Sequence, residues 1–568
     1  MDINTDMYDD EPTEPRKVLK PGPIGSQFDT EPMQEFTPAQ SSPTIPFAPG
    51  VPKVPLQPDI TQSTPTATVS RRKFMGVSLA GLAAVGGAGA AAAIGGVALA
   101  KLIQSGELAG TSHEPIASNK QIGHLLRRAG FSATPEELAT YSNLGFTGAV
   151  DRLLNYQQVS DNDMENRIKA LNIDLNAPLN QQRWWLLRMA WTQRPLLEKM
   201  TLFWHGVLTS SFRKVGGPRA YQRMIIQNQF LRNHAFDTFD NILLGITSDP
   251  AMLFYLDLTK SRKTAPNENY ARELMELFTL GLGHYTQQDV SEGAAALTGW
   301  HVIGLTSQYY PQDHNDLVKT YLGHTGNLDY KDVIHILVNH PATPWFITRK
   351  LFTYFIYENP SDDDLKPLVE TYVQSGHNMG AVMRTLLLSP QFSSTKAYRS
   401  RIKSPVEFTA GAYRAMNING DGVGLPAITT LMGQTLFDPP NVAGWPGDKV
   451  SALWLNSGTW MTRLNYIDLL LARGTLSRSA SAPLVNLQNI VETNKITSPE
   501  QFVDHFSSFL LDGGLADDRR SQLLDYFSSQ DASSRGVPVT LGNGTSYPFG
   551  RVRGTLYLMM SSPEYQLN

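Results

Sequence analysis

Apolar residues recur at spacings of three and four in nearly every long apolar segment from residue 118 to the end of the chain. Such spacing places the apolar side chains on one face of an α-helix, and few segments alternate as a half-buried strand does. Residues 118–568 are therefore expected to be mainly α, forming one large multi-helix domain. A few short β-hairpins are expected within it, near 300–310 and 537–547, where β-forming residues flank turns.

The composition excludes several kinds of site. A chain of 568 residues can bury a large core, in one domain or in two to three smaller ones. Its net charge of -4 at pH 7 gives no basic excess, so no nucleic-acid partner is expected. The absence of cysteine excludes disulfides, thiolate metal sites and a cysteine nucleophile.

The first hundred residues differ in composition from the rest. Residues 1–69 are rich in Pro, Thr, Ser and acidic residues without regular periodicity, which predicts a disordered tail. Arg71 and Arg72 then precede a stretch rich in Gly and Ala that has no charge between Lys73 and Lys101. This pattern is typical of a twin-arginine export signal, so the twin-arginine export machinery is an expected partner.

Residues 70–100 have two alternative fates. Ala98-Leu99-Ala100 resembles a cleavage site composed of small residues. Cleavage there would release the protein. A retained segment, like an ordinary signal anchor, is long enough to span a bilayer, and residues 74–100 would then anchor the protein with its tail in the cytoplasm. In both cases residues 101–117 form a linker, and the domain is exported to the periplasm, the cell surface or the medium.

The stretch 266–281 predicts a short amphipathic helix. Asn267 is a suitable N-cap, and a glycine at the end of the stretch is a suitable stop. Opposite its apolar face lies a polar face, formed by Asn269, Arg272, Glu273 and Glu276. That polar face either meets solvent, as on most surface helices, or lines a cleft.

A second amphipathic helix is predicted over 195–211. Its polar stripe contains Glu198, Thr201, His205 and Thr209. The imidazole of His205 can serve as a metal ligand or a general base, although a lone helix histidine is more often a structural hydrogen-bonding group.

Another polar segment follows the hairpin that is expected to begin at Trp300. It contains His314, Asp316 and Lys319. Its imidazole, carboxylate and ammonium groups are candidates for acid–base work or ligand binding.

The prolines and glycines of 437–447 exclude a helix there. This rigid loop contains Asn441 and Trp445. It can stack a sugar ring or another flat ligand on the indole, or it can be a structural corner that buries the indole in the core.

Several of these segments together resemble one protein family. The runs Asn267-Glu268-Asn269-Tyr270-Ala271-Arg272-Glu273-Leu274, Ala296-Leu297-Thr298-Gly299-Trp300 and Phe437-Asp438-Pro439-Pro440-Asn441 are similar to signatures of the bacterial domain-of-unknown-function 1800 family. The resemblance covers about residues 118–568 and names no reaction. In that family an acidic residue directly follows the histidine matching His314, whereas here Asn315 intervenes before Asp316.

Three functions are compatible with the sequence. The first is an exported hydrolase-like enzyme that acts on an envelope or extracellular polymer. The second is a non-catalytic envelope protein that binds a partner or a polysaccharide, and the third is a helical scaffold for another exported enzyme. The resemblance supports such a partner, because relatives are often encoded beside an exported family similar to sulfatases and phosphatases.

An active site would require the distant polar segments to converge. The candidate catalytic residues are Glu273, Glu276, His205 and His314, and the candidate binding residues are Asn267, Asn269, Arg272, Trp300, Asp316, Lys319, Asn441 and Trp445. Glu273, His205 and either His314 or Asn441 are expected within about 10 Å around one cleft. Their oxygen and imidazole groups suit a divalent metal, although the spacing identifies none.

Export can be tested by replacing Arg71 and Arg72 with lysine, which keeps the charge but removes the arginine pair. The double variant is expected to remain in the cytoplasm, as measured by cell fractionation. Its normal export would refute the twin-arginine assignment.

Overall fold

Helices account for 60% and strands for 6% of the structure, so the expectation of a mainly α fold is confirmed. The computed structural model describes residues 112–472, 484–529 and 536–568. The predicted tail (1–69), the predicted export segment (70–100) and the start of the predicted linker lie outside these ranges. Within them, no helix has both the length and the apolar character needed to cross a bilayer.

The α-helices of the first half begin shortly after residue 112. They are α1 (Ser118–Arg128), α2 (Pro135–Asn143), α3 (Gly145–Leu154), α4 (Asn162–Ala170), α5 (Pro178–Trp191), α6 (Pro195–Val207), α7 (Phe212–Val215), α8 (Ala220–Asn233), α9 (Phe239–Thr247), α10 (Pro250–Tyr255), α11 (Glu268–Glu273) and α12 (Gln287–Ala296).

The α-helices of the second half follow a β-rich insertion. They are α13 (Tyr330–Asn339), α14 (Ala342–Phe355), α15 (Asp362–Gln374), α16 (Met379–Leu387), α17 (Pro405–Ala415), α18 (Leu425–Leu431), α19 (Pro446–Lys449), α20 (Ser457–Ala472), α21 (Leu487–Thr493), α22 (Pro499–Leu510), α23 (Asp517–Ser528), α24 (Phe549–Met560) and α25 (Pro563–Gln566).

The strands of the described ranges pair as three antiparallel hairpins. Two of these confirm the predictions: β1 (Trp300–Ile303) with β2 (Thr306–Tyr309), and β5 (Val539–Thr540) with β6 (Ser546–Tyr547). The third, β3 (Lys319–Tyr321) with β4 (His324–Gly326), was not predicted. The two residues between its strands, Leu322 and Gly323, both have positive φ, as a tight hairpin turn requires, and leucine is not a typical residue of such a turn.

Local capping signals are confirmed at several helix starts. Asn267 is the N-cap of α11, where its side chain accepts a hydrogen bond from the Asn269 N–H. Reciprocal capping boxes start α2, between Thr134 and Glu137, and α12, between Thr286 and Asp289. Only neighbouring residues form these bonds, which is why the sequence predicts them well.

The central amphipathic helix departs from its predicted form. It is α-helical only through Glu273 and continues as a π-helix, Leu274–Thr279, before Gly281 ends it with φ of +80°. The Thr279 hydroxyl donates to the Leu274 carbonyl 2.6 Å away, five residues back. The wider turn changes the angular register after Glu273, so Glu273 and Glu276 do not lie where a regular α-helix would place them.

Helix α6 differs more strongly from prediction, because its polar stripe is buried along with its apolar face. Glu198, Thr201, His205 and Thr209 are each at most 2% exposed. Polar side chains tolerate such burial only when other groups satisfy their charges and hydrogen bonds. Each of these four has a partner in the fold.

Glu198 is held by residues of two neighbouring helices. Arg232 of α8 donates to both its carboxylate oxygens, at 2.7 and 2.9 Å, while Arg188 and the Trp185 indole of α5 donate at 3.2 and 2.8 Å. Burial alone would raise the pKa of Glu198, but Arg232 and Arg188 outweigh it and lower that pKa to about 2. The carboxylate is therefore ionised inside the core.

Lys199, the residue after Glu198, forms an ion pair with a different helix. Its ammonium forms an ion pair with Glu407 of α17 and donates to the Gly130 carbonyl at 3.1 Å. Both side chains are largely or wholly buried. Breaking such a pair by removing one partner costs about 3–5 kcal/mol, because the other charge is left without compensation.

The end of α6 meets the loop 433–445 closely. A Cβ atom on Gly444 would lie 2.2 Å from the Gly206 carbonyl oxygen, and Gly444 has φ of +80°. The Thr209 hydroxyl, just beyond α6, donates to the Val442 carbonyl at 2.7 Å. The loop therefore lies directly against the C-terminal end of a helix that is almost wholly buried.

Gly444→Ala is expected to destabilise the fold by roughly 2–5 kcal/mol. The positive φ costs about 1–2 kcal/mol, and the clash with a backbone carbonyl costs about 1–3 kcal/mol more. Gly323→Ala is the matched control, because Gly323 has φ of +82° and open space around it, so only the backbone cost applies. Urea unfolding should separate the two variants, and equal losses would show that the contact with Gly206 is not tight.

Candidate functional site

A polar cavity of about 590 Å³ lies between α7, α10, α11 and the loop 433–445. Two carboxylates, two cationic side chains and two amides face it together with aromatic and apolar groups. Its lining comprises Ser211, Arg213, Lys214, Tyr255, Leu256, Asn269, Glu273, Gly433, Thr435, Asp438, Pro439, Pro440, Asn441, Val442 and Trp445. Three predicted binding residues, Asn269, Asn441 and Trp445, thus share one cavity with Glu273.

Glu273 is the carboxylate of this cavity that has no partner. It is half-buried, and within the described part of the chain its side chain forms neither a hydrogen bond nor an ion pair. Burial, and to a lesser extent the nearby Glu276, raises the pKa of Glu273; Arg272 and Lys214 oppose this only in part. A carboxyl group in this environment can hold a proton closer to neutral pH than an exposed one.

Asp438 is the second carboxylate, and its surroundings are the opposite. The Ser211 hydroxyl donates to one of its oxygens at 2.5 Å, and Arg213 Nε lies 2.7 Å from the other. Charge-assisted hydrogen bonds of this kind stabilise an ionised carboxylate. One cavity therefore contains a partnered and an unpartnered carboxyl group, an arrangement that suits different acid–base roles.

Lys214 provides positive charge in the cavity wall beside Glu273. Lys214 Nζ lies 3.8 Å from Asp257 and 5.1 Å from the centre of the Tyr255 ring. Asp257 also accepts a hydrogen bond from the Asn269 amide at 3.3 Å, which fixes the orientation of that side chain. Burial raises the pKa of Tyr255, so its hydroxyl stays protonated and available as a donor at neutral pH.

His205 lies behind the cavity and does not line it. Its Nε2 accepts a hydrogen bond from the Phe437 N–H at 3.1 Å, and its ring packs against Trp185, Phe437 and Trp445 with centroid distances of 5.4–5.6 Å. Burial lowers the pKa of His205 to about 3, so the ring is neutral. In this position the imidazole holds the loop backbone.

The loop backbone is strained at the residue that His205 holds. Phe437 has φ of +62°, a conformation that aromatic L-residues rarely adopt. Its N–H is bonded to His205, and its carbonyl accepts from the Phe212 N–H at 3.0 Å. Strain of this kind costs about 1–3 kcal/mol and persists only where the surroundings enforce it. The next residue, Asp438, thereby points into the cavity.

Asn441 and Trp445, the two loop residues predicted from the sequence, have different environments. Asn441 is exposed, and its side chain accepts from the Ala443 N–H at 2.9 Å, which forms a local turn. Trp445 is only 2% exposed and packs edge-to-face on His205. The indole is thus mostly a core group, as in the corner alternative, although part of it borders the cavity.

The remaining polar residues of the central helix lie outside the cavity lining. Glu276 accepts a hydrogen bond from the Tyr285 hydroxyl at 2.6 Å. Arg272 pairs with Glu268 at 3.1 Å, one turn earlier, so the arginine does not neutralise Glu273. Asn267 serves as the helix cap.

The segment after the first hairpin also forms its own structure. Lys319 donates to the carbonyls of Asn315 and Leu317, at 2.5 and 2.9 Å, and folds the segment around its ammonium group. His314 is buried with Nδ1 3.3 Å from the Thr298 carbonyl, and Asp316 is exposed.

Trp300 is a core residue of the same region. Its ring packs edge-to-face on Tyr309 and Tyr330, with centroid distances of 5.4 and 4.9 Å. Neither Trp300 nor any of the predicted residues His314, Asp316 and Lys319 lines the cavity of Glu273.

Metal binding has little support in the side-chain arrangement. Across the described ranges, no group of three or more His, Asp or Glu side chains is placed to hold a metal ion. The carboxylate and amide oxygens that line the cavity belong to Glu273, Asp438, Asn269 and Asn441. A hard divalent cation there would need water or ligand oxygens to complete its coordination shell.

Among the cavity residues that were not predicted from the sequence, four have charged or phenolic side chains: Arg213, Lys214, Tyr255 and Asp438. Asp438 lies in the same Pro/Gly-rich loop as Asn441, and that adjacency was an available signal. The other three lie in the short helices α7 and α10, and only the packing of those helices brings them to Glu273.

Comparison with known proteins identifies one family. A family model described as "Protein of unknown function (DUF1800)" matches residues 124–567, which is most of the chain. The resemblance inferred from the motifs is therefore confirmed. No curated protein and no solved structure matches the chain.

The buried His205 predicts a specific pH dependence of stability. Its pKa is about 3 in the fold and near 6.5 when unfolded, so the unfolded chain binds the extra proton between these values. This contribution to stability is complete above about pH 6.5 and is lost as the pH falls toward 3; it amounts to roughly 4–5 kcal/mol.

His205→Gln, which cannot titrate, should show a smaller loss of unfolding free energy between pH 7 and pH 4 than the parent protein. His324→Gln is the control, since His324 is an exposed histidine. Urea unfolding at each pH provides the measurement. A His205→Gln variant with the parent's pH slope would contradict a neutral, buried imidazole.

Proposed function

The chain belongs to the DUF1800 family, whose description names no reaction, and we propose that it is an exported hydrolase-like protein with Glu273 as its acid–base group. One observation supports this choice above the others. Glu273 is an unpartnered carboxyl group with a raised pKa, and it faces a polar cavity that also contains a partnered carboxylate. Pairs of this kind divide acid and base roles.

The proposed reaction is hydrolysis of a bond between two parts of an envelope polymer. Protonated Glu273 donates its proton to the leaving oxygen as that bond breaks, and Asp438 accepts a proton from the attacking water. Lys214 and the Tyr255 hydroxyl provide positive charge and a donor for negative charge that develops on oxygen. Because two carboxyl groups are the usual requirement for glycoside hydrolysis, a polysaccharide is the substrate class that fits best.

Export belongs to the same proposal. The substrate is placed in the envelope or outside the cell because Arg71 and Arg72 precede a segment typical of twin-arginine export. The second exported protein expected from the resemblance, a sulfatase-like or phosphatase-like enzyme, would act on the same polymer.

A second candidate function is non-catalytic binding of a polysaccharide or of a partner enzyme. The observation that favours it is the position of the histidines: neither His205 nor His314 lines the cavity, and both are buried. In this alternative the amides and charges of the cavity recognise a ligand without breaking a bond.

Glu273→Gln separates these functions. In the hydrolase, the substitution keeps the size of the side chain but removes the proton donor, so turnover should fall by about 10²–10⁴-fold. Purified protein is incubated with a panel of envelope polysaccharides, and release of reducing ends is measured together with co-sedimentation of the protein with the polymer.

Glu370→Gln is the matched control, because Glu370 is an exposed glutamate of α15 that does not line the cavity. Binding without any product in the parent protein would favour the binding function. Product release that Glu273→Gln leaves unchanged would remove Glu273 from the mechanism.

A further inference from the structure

A second and larger cavity, of about 940 Å³, adjoins the first. It opens between the end of α6, the segment after the π-helix, α14 and α19, and Trp445 borders both cavities. Most of its inner wall is aromatic or aliphatic, formed by Phe203, Val207, Leu280, Trp345, Phe346 and Tyr354. An apolar ligand body would find ordinary van der Waals partners on these walls.

Two lysines face this apolar cavity without a carboxylate partner. Within the described part of the chain, neither Lys350 nor Lys449 forms an ion pair or a hydrogen bond. Lys350 Nζ lies 4.7 Å from the centre of the Phe346 ring, and burial and then Lys449 lower the pKa of Lys350 to about 8. Two like charges therefore lie near each other at this cavity, one half-buried at Lys350 and one exposed at Lys449, and an anion would relieve their repulsion.

The other charged groups of the cavity compensate this positive charge only in part. Arg349 is occupied, because it pairs with Asp362 at 2.6 Å and donates to the Pro360 carbonyl at 2.9 Å. Burial raises the pKa of Asp448 to about 7, so this carboxyl group is only partly ionised near neutral pH.

The mouth of the cavity exposes apolar surface. Leu282 is 75% exposed and Val450 is 42% exposed, and both line the cavity. Large aliphatic side chains at a rim are unfavourable in water and favour contact with an apolar molecule as it enters.

We propose that this second cavity binds an amphipathic anion, with an apolar body against the aromatic wall and one carboxylate or phosphate headgroup at Lys350 and Lys449. A neutral apolar ligand would displace water from the two ammonium groups without replacing it by an opposite charge, which is costly. A headgroup anion satisfies both lysines at once. The site is independent of Glu273 and of the hydrolase proposal.

The test uses three ligands with one alkyl chain: dodecanoate and dodecyl phosphate, each below its critical micelle concentration, and dodecanol, below its solubility limit. They are titrated into the purified full-length protein by calorimetry. At least one of the two anions is expected to bind about tenfold or more tightly than the alcohol, as for a hydrogen bond to a charged group. Which anion binds more tightly identifies a carboxylate or a phosphate headgroup.

The double variant Lys350→Met/Lys449→Met keeps most of the length of both side chains and removes their charges. It should abolish the preference for the anion and leave dodecanol binding unchanged, and Lys350→Met alone should weaken that preference. Lys366→Met, at an exposed lysine paired with Asp363, is the control and should bind like the parent protein. Equal binding of anion and alcohol, binding of none of the three, or a preference that survives the double variant would overturn the proposal.

Discussion

The buried charges of α6 are the constraint on which the rest of the structure depends. Glu198 and Lys199 are adjacent in sequence, and both lie out of water, so each needs an opposite charge from another helix. The carboxylate holds α5 and α8, and the ammonium holds α17. With α6 held from two sides, its C-terminal end has a defined position. His205 and Gly206 at that end then determine where the loop 433–445 lies, about two helical turns from the ion pairs.

Sequence predicts the parts of this fold that neighbouring residues decide. Capping by Thr134, Asn267 and Thr286 depends on residues a few positions apart, and so do the hairpins β1–β2 and β5–β6. Burial of the α6 polar stripe could not be predicted in this way, because it depends on partners far along the chain: Arg232 for Glu198 and Glu407 for Lys199. An amphipathic sequence pattern is therefore the same whether the polar face of the helix is exposed to water or is buried against charged residues that are distant in sequence.

The residues of the candidate site show the same difference between features decided by neighbouring residues and features decided by distant partners. Glu273, Asn269 and Asn441 were predicted and line one cavity, because each lies on the polar side of an apolar element near its surface. His205 has the same local pattern, but its helix is buried all round, and a backbone N–H from a distant loop takes its nitrogen. Conversely, no pattern marks Tyr255 or Lys214, because their proximity to Glu273 results only from how short helices pack.

The indole of Trp445 is the common wall of the two cavities, and its second face packs on the neutral His205 ring. A bound molecule that shifts this wall in one cavity changes the free energy of occupying the other. Such coupling is reciprocal by thermodynamic necessity: the factor by which the first ligand alters the affinity for the second equals the factor for the reverse. Coupling between the two cavities would then need no movement of domains, only a displacement of the Trp445 side chain.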